Sequence, residues 1–414
     1  MKVKLHILSS VVFLIVGLFI IVNMAHYNNG NFYFSFKKAA QVEISHVPEN
    51  VYTSFQGIYI EPENPPPTAY ANNQHLTWLF HLVFRSPVEA YRIAEIEVHF
   101  RRNRETLWEE TYPRAYLEKL EWIEGAIEYT TDYFMRNIEF VDNNMSSIEK
   151  KAGPDIRAGS AISWVRFQAA QPFFARIDEI QFNFLFQDST GTRFQAEHRV
   201  PIQEWDQKVH LRLPFEGVWI ANNGNDLTTG HRRTGLNGLT TYGWDLMKIG
   251  ENGRTYRTDG KIPEDYYTYN ERVLSAGGGI VTHVRNDIEE YGIGETPPRK
   301  RLEEDGDVFA GNLVIIDHGN GEFTLTCHML AGTIPLKVGD RVQAGQFIGR
   351  AGNSGASQLP HIHFNMMDRA DWLQARGIPS LFSDFEQIRS GGPPLLVERG
   401  DPMTGWLVRP IASQ

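Results

Sequence analysis

The chain has 414 residues, of which 42% are hydrophobic, and a formal net charge of -10 at pH 7. That length holds two or three domains with ordinary cores, and the acidic balance excludes a general nucleic-acid binder. Cys327 is the only cysteine, so no intramolecular disulfide forms and any exported domain is held by packing and metal.

In chain order, Lys2 and Lys4 precede an uncharged, mostly apolar run from Ile7 to Ala25. Its length matches the roughly 20 residues that cross a bilayer as a helix. The two lysines predict a cytoplasmic N-terminus with the remainder outside. Asn23-Met24-Ala25 is a poor cleavage site, so residues 1–30 read as a single-pass anchor. If the segment were cleaved, the protein would be secreted. Glu61 to Pro67, with three consecutive prolines, reads as a stiff extended segment or part of a long loop.

Residues 45–210 read as a β-rich, sandwich-like accessory domain. Leu76, Trp78, Phe80, Leu82 and Phe84 alternate, as do Ile180, Phe182, Phe184 and Phe186; period two with one apolar face predicts antiparallel strands. Between them, Leu117, Leu120, Ile123 and Ile127 form one stripe, which predicts a helical insertion from Pro113 to about Arg136. His75, His81, His99 and His198 fall on strands without a ligand constellation.

The chemistry-bearing residues lie in 211–390. The loop from Gly352 to Pro360 runs into His361-Ile362-His363-Phe364. On a strand, residues i and i+2 share a face roughly 6.5–7 Å apart, so two imidazoles project into one space. Asp245 is a lone acid in Thr241-Tyr242-Gly243-Trp244-Asp245-Leu246-Met247, and an unpaired buried acid is costly unless it serves a site. His231 lies in a Gly, Asn and Thr-rich loop upstream. His328 ends the apolar strand Phe323 to Leu330. By alternation Cys327 points away from His328, as a small buried hydrophobe. His318 reads as a turn residue and His283 as a strand end.

From about Leu211 to Phe382 the chain resembles the lysostaphin-like (LytM-type) zinc metallopeptidases that cut peptides of bacterial peptidoglycan. The resemblance rests on Val273 to Val281, Gly311 to Gly321, Cys327-His328-Met329-Leu330, Val338 to Gly349 and His361-Ile362-His363. It implies a C-terminal antiparallel β barrel-like domain in a mostly β protein. It also implies one zinc ion per chain, with Asp245 and His363 as ligands and His328 and His361 as the catalytic histidines. The family's other ligand usually stands four residues before the aspartate, where this chain has Thr241. A subgroup carries that histidine further upstream, and His231 is the only histidine between His210 and Asp245.

Such a ligand set leaves a position open for water; His361, beside the ligand on the same strand face, is placed to take its proton, and His328 to donate to the oxyanion. The two roles are interchangeable on sequence grounds. The resemblance implies a zinc endopeptidase acting on peptidoglycan peptides, in the bacterial inner (cytoplasmic) membrane with its domains in the periplasm or on the outer face. The alternative is a degenerate domain of the same fold that binds or regulates another wall enzyme. A biotinyl- or lipoyl-type carrier needs a lysine at a hairpin tip, and Asp340 to His361 contains none. Residues 391–414 read as an ordered C-terminal extension around Trp406, Leu407 and Val408.

Overall fold

The structure, a computed structural model, describes residues 25–28, 31–34, 41–57, 74–141, 144–148, 151–172, 176–224, 231, 238–389 and 392–411. The apolar run expected to span a membrane lies outside the described residues but for its last alanine, as does the proline-rich segment. Among the described residues no helix is long and apolar enough to cross a membrane.

The first half is a pair of face-to-face sheets. One runs Lys151–Ala152, Trp122–Glu124, Ser160–Pro172, Gln74–Ser86, Glu43–Val47, and Ser54–Gly57 also pairs with Gln74–Ser86. The other runs Asp155–Ile156, Tyr91–Arg102, Glu179–Asp188, Arg193–Gln203, Val51–Tyr52, with Glu105–Pro113 beside Tyr91–Arg102. The alternating aromatics supply the core. Phe80 meets Phe182 edge-on at 5.9 Å between ring centroids, and Phe84 meets Phe184 at 5.3 Å. Each ring is at most 1% exposed, a burial that contributes about 1.5–3 kcal/mol per side chain.

The predicted helix from Pro113 to Arg136 is corrected. That stretch holds one helical turn, Arg114–Leu117, a short strand, Trp122–Glu124, and a helix, Thr131–Asn137. Trp122 and Ile123 are adjacent yet both buried, because their strand faces a different apolar layer on each side. Trp122 joins the sandwich core, whereas Ile123 joins Val83, Val165, Ile127 and Phe134 on the back of the sheet. Gly125, at φ +91°, then turns the chain, which a helix could not do. The helical spacing arose from residues that the chain buries by bending.

Among the described residues, the second half is built on one antiparallel sheet of eleven strands. Its central order is Gly279–Arg285, Asn312–Asp317, Phe323–Met329, Ile362–Met367, Trp244–Lys248, Trp219–Asn223. Trp219, Trp244, Val314, Ile362 and Phe364 pack into one core, which the two-stranded sheet of Arg272–Leu274 and Phe347–Arg350 helps to close through Val273 and Ile348. The stretch set apart above as an extension contributes Leu395–Gly400 and Leu407–Pro410 to the same large sheet.

The halves meet along a polar and an apolar seam. The Glu322 carboxylate accepts from the backbone N–H of Lys208 and of Val209, both at 2.7 Å. The Tyr129 and Thr241 hydroxyls are hydrogen-bonded, and Asp132 N–H donates to the Leu373 carbonyl at 3.1 Å. Phe134 packs edge-on against Phe309 at 6.2 Å. A segment of the first half thus lies against the face of the second that carries the histidines.

Candidate metal centre

Three neighbouring strands assemble the cluster. Asp245 on Trp244–Lys248 pairs directly with His363 on Ile362–Met367, and Cys327 on Phe323–Met329 pairs with His363 from the other side. Ile362, Phe364 and Met366 point into the core, which turns His363 and Asn365 to the opposite face. His361 stands one residue before the strand. His231 reaches in from its loop, whose flanking residues lie outside the described ones.

Cys327 is placed differently from expectation. As the direct partner of His363 it shares that residue's face, and both it and His328 line the cleft. The cause is His328 at φ +58°, a left-handed conformation that breaks the alternation on which the expectation rested. Burial pushes the thiol well above its ordinary pKa, so it behaves as the small buried hydrophobe foreseen.

All five predicted site residues come together. The ligand-capable atoms of His231, Asp245 and His363 lie within 4.8 Å of one another, and so do those of His328, His361 and His363. Asp245 Oδ1 is the hub: His363 Nδ1 is 3.0 Å away, His361 Nε2 3.2 Å and His231 Nε2 3.3 Å. The four cluster residues other than His231 are at most 9% exposed. Thr241, at the position where the family usually has a histidine, turns its hydroxyl to that of Tyr129. His318 and His283 also stay outside: His318 bonds the Gly278 carbonyl and the Thr324 hydroxyl, and His283 bonds Asp307.

The far nitrogen of each ring is tied to an acceptor. His231 Nδ1 meets the Gly243 carbonyl at 3.1 Å, His328 Nδ1 the Ser354 carbonyl at 2.8 Å, and His361 Nδ1 the Leu359 carbonyl at 2.7 Å. His363 Nε2 meets Asn365 Oδ1 at 3.0 Å. Those nitrogens must carry hydrogen, so in the neutral rings the near nitrogens are lone pairs. Three of them converge on one carboxylate oxygen. Lone pairs at such distances repel unless a proton or a cation lies among them. Burial pushes His231 and His361 down, but the Asp245 charge outweighs it and both end above the ordinary imidazole value. Asp245, opposed by burial, is held well below its usual range by His231 and His361. Burial, then His361 and His363, hold His328 well below its ordinary value. Two imidazoles and a carboxylate are the donor types of a zinc site, so the residues fit a divalent cation.

Sequence reading missed the residues behind these groups. Asn223 Nδ2 donates to Asp245 Oδ2 at 2.6 Å. Asn365 was within reach, since it is two residues beyond His363 on a strand. Phe134, Phe309 and Trp372 form apolar walls of the cleft, whose volume is about 280 Å³; Phe134 comes from the other half and carried no local signal.

The loop bearing the carbonyl partners is itself clamped. Glu290 Oε2 accepts from Asn353 N–H at 2.6 Å, and Ser357 Oγ donates to Asn353 Oδ1 at 2.8 Å. Gly311, at φ +68°, lies so close that a Cβ there would stand 2.5 Å from the Ser354 carbonyl. Burial raises the half-buried Glu290 carboxyl to about 7. A carboxyl raised in the folded state favours folding while protonated, and that contribution fades as pH rises from its unfolded value through 7. Glu290→Gln is therefore expected to exceed the parent's stability at pH 8 by on the order of 1 kcal/mol, a figure reduced for partial exposure. The gap should shrink at pH 5; thermal unfolding at the two pH values checks it, and an equal gap at both would sink the idea.

Residues 266–375 match peptidase family M23. The peptidoglycan DD-endopeptidase ShyA of Vibrio cholerae is 41% identical over 61 residues, 15% of this chain and 14% of that protein. The glycyl-glycine endopeptidase ALE-1 of Staphylococcus capitis is 31% identical over 150 residues, 36% of this chain and 30% of that one. The chain thus spans less than a third of the length of either relative. A crystal structure of a zinc-containing peptidase from Vibrio cholerae aligns over 72% of this chain and 79% of that one, at 16% identity and a TM-score of 0.25, too low a likeness to bear on function. The family match covers His328, His361 and His363 and begins after His231 and Asp245.

Proposed function

Starting from a chain whose residues 266–375 are a peptidase family M23 domain, we propose that it is a zinc endopeptidase acting on the peptides of bacterial peptidoglycan. The observation that carries this reading is the convergence of three ring nitrogens on Asp245 Oδ1, with every far nitrogen committed elsewhere. His231, Asp245 and His363 are the ligands in this reading, and one zinc ion is held per chain. It would supply a Lewis acid and a water of lowered pKa.

The protein's own residues do the rest. His328, neutral with its Nδ1 hydrogen on the Ser354 carbonyl, presents Nε2 to the cleft as a proton acceptor for the nucleophilic water. His361, with Nδ1 on the Leu359 carbonyl and Nε2 facing the cleft 3.2 Å from Asp245, would donate from Nε2 toward the developing oxyanion, so the two histidines exchange the roles expected from sequence. Phe134, Phe309 and Trp372 exclude bulk water from one side, which strengthens both interactions. The run from Ile7 to Ala25 is proposed to anchor the enzyme in the inner membrane, facing the envelope space.

The test is elemental analysis of the purified full-length chain together with its digestion of isolated cell-wall sacculi. About one zinc per chain and release of soluble muropeptides are expected. Zinc-free protein that binds sacculi without cutting them would instead mark a regulatory domain of the same fold.

A further inference from the structure

The His363 ring can fail as a ligand in two ways. A half-turn about its outer torsion would present carbon rather than Nδ1 to Asp245, and the other tautomer would place a hydrogen on Nδ1. Packing leaves the ring little freedom beyond these. A Cβ at Gly243 would stand 3.3 Å from both His363 Cε1 and Asn365 Cβ, so the two strands already touch at this point.

Asn365 sits on the same strand face, is 0% exposed, and places Oδ1 3.0 Å from His363 Nε2. Its Nδ2 has no hydrogen-bond partner among the described residues. A buried amide hydrogen left unpaired is costly, and a residue chosen for folding alone would avoid that cost. With Nδ2 unpaired, the contact this side chain makes at the site is through its acceptor, Oδ1. That acceptor opposes both failures, because it holds a hydrogen on Nε2, so that a cation taking the place of the proton between Nδ1 and Asp245 Oδ1, 3.0 Å apart, meets a lone pair on Nδ1.

We infer that Asn365 is a positioning residue that fixes the orientation and tautomer of His363, so that Nδ1 is the atom offered to a divalent cation. Asn223 plays the matching part for Asp245: it occupies Oδ2 and leaves Oδ1 to the histidines. The role of Asn365 as regards the cation rests on the zinc reading above; its hold on the tautomer does not.

Two variants and two readouts separate these. Asn365→Leu removes the acceptor, and Asn365→Asp keeps an acceptor while removing the unpaired donor. Nitrogen NMR of the metal-free, full-length protein in detergent should find a hydrogen on His363 Nε2 in the parent and in Asn365→Asp, whereas in Asn365→Leu the hydrogen should pass to Nδ1, where the Asp245 carboxylate accepts it. Competition with a chelator should find zinc bound roughly 10–100-fold more weakly by Asn365→Leu, the range expected when a ligand's outer partner is lost. Asn365→Asp should stay near the parent, and its cobalt-substituted spectrum should match. If Asn365→Leu keeps both the tautomer and the affinity, or if Asn365→Asp loses them as fully as Asn365→Leu, the inference is overturned. Should Asn365→Leu not fold, Asn365→Asp still decides. A parent that binds no zinc but shows the tautomer contrast would refute the zinc reading and leave the hold on His363 standing.

Discussion

Replacing His231 by alanine is expected to abolish zinc uptake and, with it, hydrolysis, while the sheet stays folded. The ring contributes one of two imidazoles in the set with Asp245 and His363, and its removal leaves two protein ligands on an ion that catalytic sites bind through three. The loss of affinity should exceed the roughly 10–100-fold that follows from disturbing an outer partner. Folding should survive, because His231 is outside the core and the strand bearing Asp245 is anchored by Trp244 and Leu246, both 0% exposed. Zinc content and sacculus digestion of the variant, beside far-ultraviolet circular dichroism, check the claim. A fully active His231→Ala enzyme would remove that residue from the centre and turn attention to His328, His361 and His363, which form the other compact group.

The second large effect separates binding from turnover. His328→Ala and His361→Ala should each retain about one zinc per chain and lose turnover by about 10²–10⁴, the contribution of a positioned proton-transfer group. Neither ring belongs to the proposed ligand set, and both have their outer nitrogen tied to a carbonyl of the loop 354–359. If zinc is lost together with activity in either variant, the ligand set must be redrawn to include that ring. Single-turnover cleavage of a cross-linked muropeptide, with metal content measured on the same sample, distinguishes the outcomes.

Much of the centre was legible because strand geometry is local. A His-x-His pair on a strand must share a face, and an acid between tryptophan and leucine must answer to something buried; His361, His363 and Asp245 follow from those two facts. His231 did not follow from local pattern. It was reached through a family resemblance and by elimination, since a loop histidine carries no periodicity. The helix read into 113–136 failed because a stripe of apolar residues records burial, whatever backbone delivers it. Cys327 was turned the wrong way because alternation assumes an extended backbone at the next residue. Phe134 could not be foreseen at all, since the surface it meets belongs to residues some 175 positions later and only tertiary structure brings them together.

The backbone at His328 has a further consequence. At φ +58° a residue with a Cβ pays about 1–2 kcal/mol that glycine would not. Glycine at 328 would relieve that strain, but it would also empty the volume of a buried imidazole and leave the Ser354 carbonyl without its donor. The imidazole is thus aimed by two constraints at once, a left-handed backbone that turns it out of the strand's alternation and a carbonyl that fixes which of its nitrogens faces the cleft.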